Sequence, residues 1–221
     1  MPEFSLPSSA LPLTAAYLRA TLAGDRTEAL HIALEQGLAA GVSPAELQLG
    51  MILPAQREVG RLWQENRISV AQEHLATSVS QLVLSHLYPH LPRPRCNGKR
   101  VLVACVEGEL HDMGARMGAD FLEMAGFDVT FLGPNIPPPQ LLAAIEEHRP
   151  SLLGLSATMH FHIPALRAAV AAVRTVAPLL PIILGGGLLE AMPELGDELG
   201  VQGSGTSADE LARLCSGLMG C

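Results

Sequence analysis

A histidine between two acidic residues follows a strongly apolar stretch, residues 101–106, in the second half of the chain. A short Val-rich run that leads into a glycine is typical of a buried strand. Glu109, His111 and Asp112 then lie at the carboxyl edge of a sheet, where open α/β folds bind ligands. His111 is a candidate metal ligand whose second ring nitrogen is held by Glu109 or Asp112. A loop histidine without a ligand is the alternative.

Hydroxyls and glycines follow two further predicted strands at the same edge. Ser156 and Thr158 end the third strand, and Gly185, Gly186 and Gly187 follow the fourth. These glycines predict room between strand ends for a flat or elongated ligand, with a tight strand-to-helix turn as the alternative. They do not follow the first strand, as a dinucleotide fingerprint would, and the sequence contains no phosphate-binding Gly-Lys-Ser/Thr motif.

Two histidines flank an aromatic residue just beyond the third predicted strand. His160, Phe161 and His162 could border a flat ligand there, or could belong to a polar loop. In the N-terminal half of the chain, Trp63 offers a flat apolar surface and Glu73, followed by His74, offers a hydrogen-bond acceptor. Core packing of the tryptophan and a favourable first-turn charge are the alternatives for these residues.

The elements that position the C-terminal candidates alternate between strand and helix. Strands are predicted at residues 100–106, 128–132, 152–156, 182–184 and about 201–202, and helices at 113–125, 139–147, 163–176, 189–199 and 207–219. Five such βα units predict an α/β fold with a doubly wound, flavodoxin-like parallel sheet of five strands.

The N-terminal half shows helical patterns only. Helices are predicted at residues 13–22, 25–40, 43–65 with a kink at Pro54, and 69–87, with Asp25, Ser43 and Ser69 as N-caps. Four helices with short connections predict a four-helix bundle. We therefore expect a leader at 1–12, a bundle cap at 13–91, a proline-rich linker at 92–98 and the α/β domain at 99–221.

The C-terminal half resembles the cobalamin (B12)-binding domain family. The resemblance rests on the His loop with Gly114 three residues after His111, on Ser156, and on the pair Gly185-Gly186, although the family's first acid is Asp where this chain has Glu109. It implies that His111 is the lower cobalt ligand and that Asp112, Met113 and Gly114 lie beside the cofactor. It also implies that the benzimidazole tail descends past Ser156, Thr158 and the glycines.

The bundle resembles the cap of CarH-like and photocobilin-like B12 photoreceptors. Trp63, nine residues and then Glu73-His74 match the signature of adenosylcobalamin light sensors, which implies that these residues contact the upper ligand. Gln64 stands where the DNA-binding sensors carry a histidine that captures cobalt after illumination, so a bis-histidine photoproduct is in doubt unless His74 substitutes. Some standalone relatives also bind a bilin, and His160 and His162 are candidate contacts for biliverdin.

The composition and charge of the chain argue against several classes of protein. The net charge of −8 argues against direct nucleic-acid binding, as does the absence of a predicted helix-turn-helix region before the bundle. No apolar run is long enough for a membrane span, and no signal peptide is predicted. The four cysteines lack metal-site spacing. We therefore expect a cytoplasmic protein with reduced thiols.

The leading functional interpretation is a cobalamin-dependent light sensor rather than an enzyme. It would signal through a downstream protein partner or through self-association, as a homodimer, with no direct contact to nucleic acid or membrane. A corrinoid carrier in methyl transfer is the main alternative, and cobalamin storage or delivery is a third. An isomerase subunit is disfavoured because the sequence predicts no barrel.

Overall fold

The computed structural model describes Phe4 and residues 6–220 of the chain. The chain divides between Leu91 and Pro92 into two compact units, and each is described by itself. Residues 1–3 and 5 of the predicted leader, and Cys221, lie outside the described residues. The end of the leader is docked on the N-terminal unit, because the Leu11 N–H donates to the Gly50 carbonyl oxygen at 2.8 Å.

The N-terminal unit is helical, as predicted. Its α-helices are α1 (Thr14–Leu22), α2 (Arg26–Leu30), α3 (Pro44–Leu47), α4 (Leu53–Gln64) and α5 (Val70–Leu87). A π-helical segment, His31–Gly37, and a 3₁₀ turn, Leu38–Ala40, extend α2, and the π-helical segment Gln48–Ile52 joins α3 to α4. Four continuous helical segments therefore result.

Capping side chains begin three of these segments, as the sequence predicts. Asp25 accepts a hydrogen bond from the Glu28 N–H, and full capping boxes form at Ser43 and Ser69. Pro54 has no N–H for the Gly50 carbonyl, four residues earlier. That carbonyl accepts hydrogen bonds instead from the Leu11 N–H and from Thr14 Oγ1 at 2.9 Å. The proline thus frees an acceptor that ties the start of α1 to the third segment.

The C-terminal unit is an α/β layer structure around a five-stranded, all-parallel sheet. The strands are β1 (Arg100–Val106), β2 (Asp128–Ile136), β3 (Leu152–Ser156), β4 (Ile182–Gly185) and β5 (Gly203–Ser204), in the order β2-β1-β3-β4-β5. This order is the flavodoxin-like one that the alternating pattern predicts. The helices are α6 (Met113–Met124), α7 (Pro138–His148), α8 (Ile163–Val176), α9 (Leu188–Ala191), α10 (Leu195–Glu198) and α11 (Ala208–Met219).

Both faces of the sheet are covered. Helices α7 and α8 pack on one face, over Leu102, Leu153 and Leu184, whereas α6 and α11 pack against each other and against the other face. Strand β1 lies between β2 and β3 and is buried from Val101 to Val106. Its carboxyl end therefore opens directly into the loop that carries His111.

Three predicted boundaries were wrong. The predicted helix at 189–199 is two short helices, α9 and α10, because Pro193 interrupts it. Strand β2 continues past residue 132 to Ile136 through an irregular pairing with β1. Strand β5 lies at 203–204 rather than 201–202. Among the described residues, no helix is both long and apolar enough to cross a membrane.

Candidate functional site

Glu109 is the centre of the loop that follows β1. Its carboxylate is completely buried and both oxygens are engaged. Oε1 accepts hydrogen bonds from His111, from the ring Nδ1 at 2.6 Å and from the backbone N–H at 2.7 Å. Oε2 accepts the Thr158 N–H at 2.6 Å. One carboxylate therefore fixes the imidazole and also ties the loop after β1 to the loop after β3.

His162 supports Glu109 from the interior. Its side chain is buried, its Nε2 lies 3.1 Å from the Gly108 carbonyl oxygen, and its Nδ1 lies 2.9 Å from Glu109 Oε2 but out of line for a regular hydrogen bond. Since a carbonyl oxygen only accepts, Nε2 carries the proton. The ring points into the loop after β1, and the predicted contact of His162 with a flat ligand stays a prediction. His160 and Phe161 are exposed.

The electrostatics keep Glu109 ionised. Burial alone raises the pKa of this carboxyl, but the hydrogen bonds from the His111 ring, the His111 N–H and the Thr158 N–H outweigh burial and lower the pKa below its ordinary value. The His111 side chain is 54% exposed. Because Nδ1 is held by a carboxylate, Nε2 is the nitrogen that this geometry presents to a metal.

The Asp112 carboxylate lies 3.7 Å from the Arg116 guanidinium, one turn along the chain, whereas Glu109 holds the ring and the backbone N–H of His111. Met113 begins α6. A Cβ added to Gly114 would meet no atom of the chain within 4 Å. The space at Gly114, beside the His111 loop, is therefore open.

The two predicted hydroxyl residues have different surroundings. Ser156 is buried beside Cys105 of β1, with which it is in register and shares a hydrogen bond. Burial, together with the nearby charges of Glu109 and Asp112, raises the pKa of Cys105 to about 12, so the thiol stays protonated and is a poor metal ligand. Thr158 is half-buried and uses its N–H, rather than its hydroxyl, to hold Glu109.

The three glycines after β4 lie in a tightly packed turn. A Cβ on Gly186 would lie 2.2 Å from the Ala157 carbonyl oxygen, and the residue has a φ of +107°. The space that Gly186 provides is therefore filled by the backbone after β3, not by a ligand. A Cβ on Gly185 would approach Leu211 to 3.0 Å, and one on Gly187 would make an ordinary 3.4 Å contact with Thr158.

Asn135, near the end of β2, also belongs to this edge of the sheet. Its Oδ1 accepts the Gly108 N–H at 2.8 Å, and its own N–H donates to the Glu109 carbonyl oxygen at 2.9 Å. The residue has a φ of 55°, a conformation that asparagine tolerates better than most side chains. The turn-forming sequence Gly133-Pro134-Asn135 was the available signal.

The remaining candidates belong to the N-terminal unit. Trp63 lies in the last turn of α4 with 38% of its surface exposed, and Glu73 and His74 lie near the start of α5, across the turn that joins the two helices. His74 Nδ1 lies 2.5 Å from Glu73 Oε2, and Thr77 Oγ1 lies 2.8 Å from Glu73 Oε1. An aromatic face and an anchored carboxylate thus occur at the same end of the bundle.

The exposed His111 imidazole can supply one ligand to a metal. Across Phe4 and residues 6–220, no group of three or more His, Cys, Asp or Glu side chains could hold an ion. One exposed imidazole backed by a buried carboxylate suits a metal whose other ligands come with a cofactor, such as the cobalt of a corrinoid. The open space at Gly114 agrees with this donor set.

Comparison with protein families gives two matches. A B12 binding domain family model matches residues 99–213, and a second B12 binding domain model matches residues 13–88. The two matches cover the α/β sheet region and the helical region respectively.

Individual relatives include both regulators and corrinoid proteins. The chain is 30% identical over 186 residues to the HTH-type transcriptional repressor CarH of Myxococcus xanthus, across 83% of this chain and 60% of the relative. It is 26% identical over 128 residues to trimethylamine corrinoid protein 1 of Methanosarcina acetivorans, across 57% and 59% respectively. The chain thus spans about three fifths of the length of these curated relatives.

A solved structure shares the fold. The monomethylamine corrinoid protein of Methanosarcina barkeri superimposes with a TM-score of 0.78, at 18% identity, over 94% of this chain and 96% of that one. The two proteins therefore share a fold.

Proposed function

Because the chain belongs to the B12-binding domain family, we propose that it is a cobalamin-dependent light sensor that binds adenosylcobalamin. The observation that carries the proposal is that an exposed Trp63 and an anchored Glu73 lie on the two sides of the turn between α4 and α5. An aromatic face and a carboxylate suit an adenosyl group, which offers a flat base and ribose hydroxyls. A methyl group offers neither.

On the lower side, His111 would bind the cobalt through Nε2. The buried Glu109 would keep the ring in the required tautomer and orientation, and Gly114 would leave space for the corrin beside the loop. Thr158 and the glycine turn are the residues we expect near the nucleotide tail. Ser156 would contribute less directly, since it is buried beside Cys105.

The signal would originate at the upper ligand. Bound adenosylcobalamin supplies a cobalt–carbon bond that light can break. Loss of the adenosyl group would remove the hydrogen-bond donors from Glu73 and the stacking partner from Trp63, and so would change which packing of the bundle is favoured. We expect the output to be self-association as a homodimer, or contact with a downstream protein. The net charge of −8 disfavours nucleic acid as the partner.

Absorption spectra of the protein with adenosylcobalamin, before and after green light, test the proposal. We expect a bound spectrum that changes faster on illumination than that of free cofactor. His111→Ala should alter the dark spectrum, because the axial nitrogen is lost, whereas His90→Ala, at an exposed position of the other unit, should not. Equal photolysis rates for bound and free cofactor would overturn the light-sensing role.

A bilin as second chromophore is a finer part of the same proposal. Phe161 and Leu110 are 70% and 69% exposed beside the loop of His111 and His162, and exposed apolar side chains of this kind suit a flat tetrapyrrole. His160 and His162 are the histidine candidates for this contact. Adding biliverdin should produce new red absorption that Phe161→Ser weakens, and an unchanged spectrum would remove the bilin from the proposal.

Methyl transfer is the second candidate function. The relatives named as trimethylamine and monomethylamine corrinoid proteins support it. Ligand preference discriminates the two candidates: a carrier should bind methylcobalamin at least as well as adenosylcobalamin. The light sensor should prefer the adenosyl form, and Glu73→Gln should reduce that preference.

A further inference from the structure

A chain of polar side chains leads from the interior of the bundle to Glu73. Tyr17 of α1 lies with its hydroxyl 2.9 Å from Ser80 Oγ of α5, and Gln56 Nε2 of α4 lies 2.7 Å from the same oxygen. Gln56 Oε1 then lies 3.1 Å from Thr77 Oγ1, which is itself 2.8 Å from Glu73 Oε1. Tyr17 and Ser80 are completely buried, whereas Gln56 and Thr77 are half-buried.

In most hydrogen bonds of this series of polar side chains, the donor and the acceptor can be assigned. Burial raises the pKa of Tyr17 well above its ordinary range, so the phenol stays neutral and donates to Ser80. The Gln56 amide directs its nitrogen to Ser80 and to the Ala76 carbonyl oxygen, which leaves only its oxygen for Thr77. The orientation of the Gln56 side chain is thereby set from the core.

The Thr77 hydroxyl can donate its hydrogen bond to either of two acceptors. Its hydroxyl has a single hydrogen and two acceptors, the oxygen of Gln56 and the carboxylate of Glu73. The ionised carboxylate is the stronger acceptor and is also the closer one. Glu73 lies one helical turn before Thr77, and the other contact of its carboxylate is with His74, whose side chain is 75% exposed. The support for Glu73 from the protein interior therefore comes through Thr77.

We infer that Thr77 is the positioning residue that aims the Glu73 carboxylate at the upper ligand and so sets the preference for adenosylcobalamin. This inference rests on the proposed role of Glu73. A carboxylate held by a half-buried hydroxyl loses less side-chain freedom when a ligand binds, so hydrogen bonds from ribose hydroxyls gain affinity. A ligand that does not reach Glu73 gains nothing from Thr77.

Dissociation constants measured in darkness for adenosylcobalamin and methylcobalamin test the inference. Thr77→Val keeps the shape of the side chain but removes the hydroxyl, and should weaken adenosylcobalamin binding roughly tenfold while changing methylcobalamin binding less than about twofold. Thr77→Ser should retain the parent preference. Thr21→Val is the matched control, because its buried hydroxyl on α1 bonds only the Leu18 carbonyl oxygen of the same helix. This control should leave the ratio of the two constants unchanged.

Glu73→Gln separates failure of this inference from failure of the proposed function. If Glu73→Gln lowers the adenosyl preference and Thr77→Val does not, the role of Thr77 is overturned and that of Glu73 stands. If Thr77→Val weakens both ligands equally, the residue is merely structural and the inference again fails. A parent protein without any adenosyl preference would overturn the proposed recognition itself.

Discussion

At the scale of single residues, the length of the Glu109 side chain explains why it can serve two loops. One oxygen holds the ring and backbone of His111, and the other receives the Thr158 N–H from the loop after β3. The carboxylate gains these contacts without solvent, so removing its charge should cost more than an exposed substitution would. We expect Glu109→Gln to lower the free energy of unfolding at neutral pH by about 1–3 kcal/mol, measured by urea titration without cofactor.

The pH dependence of that loss follows from the direction of the pKa shift. The pKa of Glu109 in the folded chain lies below its ordinary value of 4.5, so the unfolded chain binds the proton more readily. The stabilisation is therefore complete above about pH 4.5 and disappears as the pH falls through the lower folded pKa. The difference between parent and Glu109→Gln should shrink on acidification, and a difference that grows instead would contradict this assignment.

The two neighbouring histidines should behave differently. His162 is buried and donates to the Gly108 carbonyl oxygen, whereas His160 is exposed. We expect His162→Phe to cost about 0.5–1.5 kcal/mol of unfolding free energy, because it removes the hydrogen bond from a buried side chain to the Gly108 carbonyl oxygen. His160→Ala should fall within about 0.5 kcal/mol of the parent in the same urea titration. Similar costs at both positions would mean that the loop does not depend on His162.

At the scale of elements, the turn after β4 offers a matched pair of glycines. Gly186→Ala would force a Cβ against the Ala157 carbonyl oxygen and would place alanine at a φ of +107°. Gly187→Ala makes only a 3.4 Å contact, at a φ of −63°. We expect the first substitution to destabilise the protein by more than about 2 kcal/mol and the second by less than about 1 kcal/mol in thermal unfolding. Equal effects would mean that the two loops are not packed backbone to backbone.

Elements were predictable where a local signal was strong. Serine caps with Glu46 and Gln72 three residues later fixed two helix starts, and the buried run before His111 fixed β1. Pro193 was such a signal too, since it divides the predicted helix at 189–199 into α9 and α10. The π-helical segment Gln48–Ile52 was not predictable, since the Gly50 carbonyl within it accepts hydrogen bonds from Leu11 and Thr14, which lie far back along the chain.

The candidate site, like the helices and strands, was predictable only in part. The order of His111, Ser156 and the glycines along the chain was readable, because parallel strands bring their carboxyl ends to one edge. The inward turn of His162 and the bridge from Asn135 were not, because contacts across 54 and 27 residues depend on how loops pack. Sequence therefore predicted which residues gather at the edge but not which of them support the others.

At the scale of the whole molecule, the division at Leu91 provides a test of which units the cofactor contacts. A ligand protects only the unit whose folded form it binds, and at 100 times its dissociation constant it adds about 2.7 kcal/mol to that unit's stability. We expect methylcobalamin to slow amide hydrogen exchange chiefly in the α/β unit, around β1 and α6. Adenosylcobalamin should also slow exchange in α4 and α5, because the proposed contacts of the adenosyl group, Trp63 and Glu73, lie there.

Hydrogen exchange resolved by peptide mass spectrometry measures both units in one experiment. Trp63→Ala should abolish the additional protection of the bundle while leaving that of the α/β unit, and equal bundle protection by both cobalamins would contradict recognition of the adenosyl group.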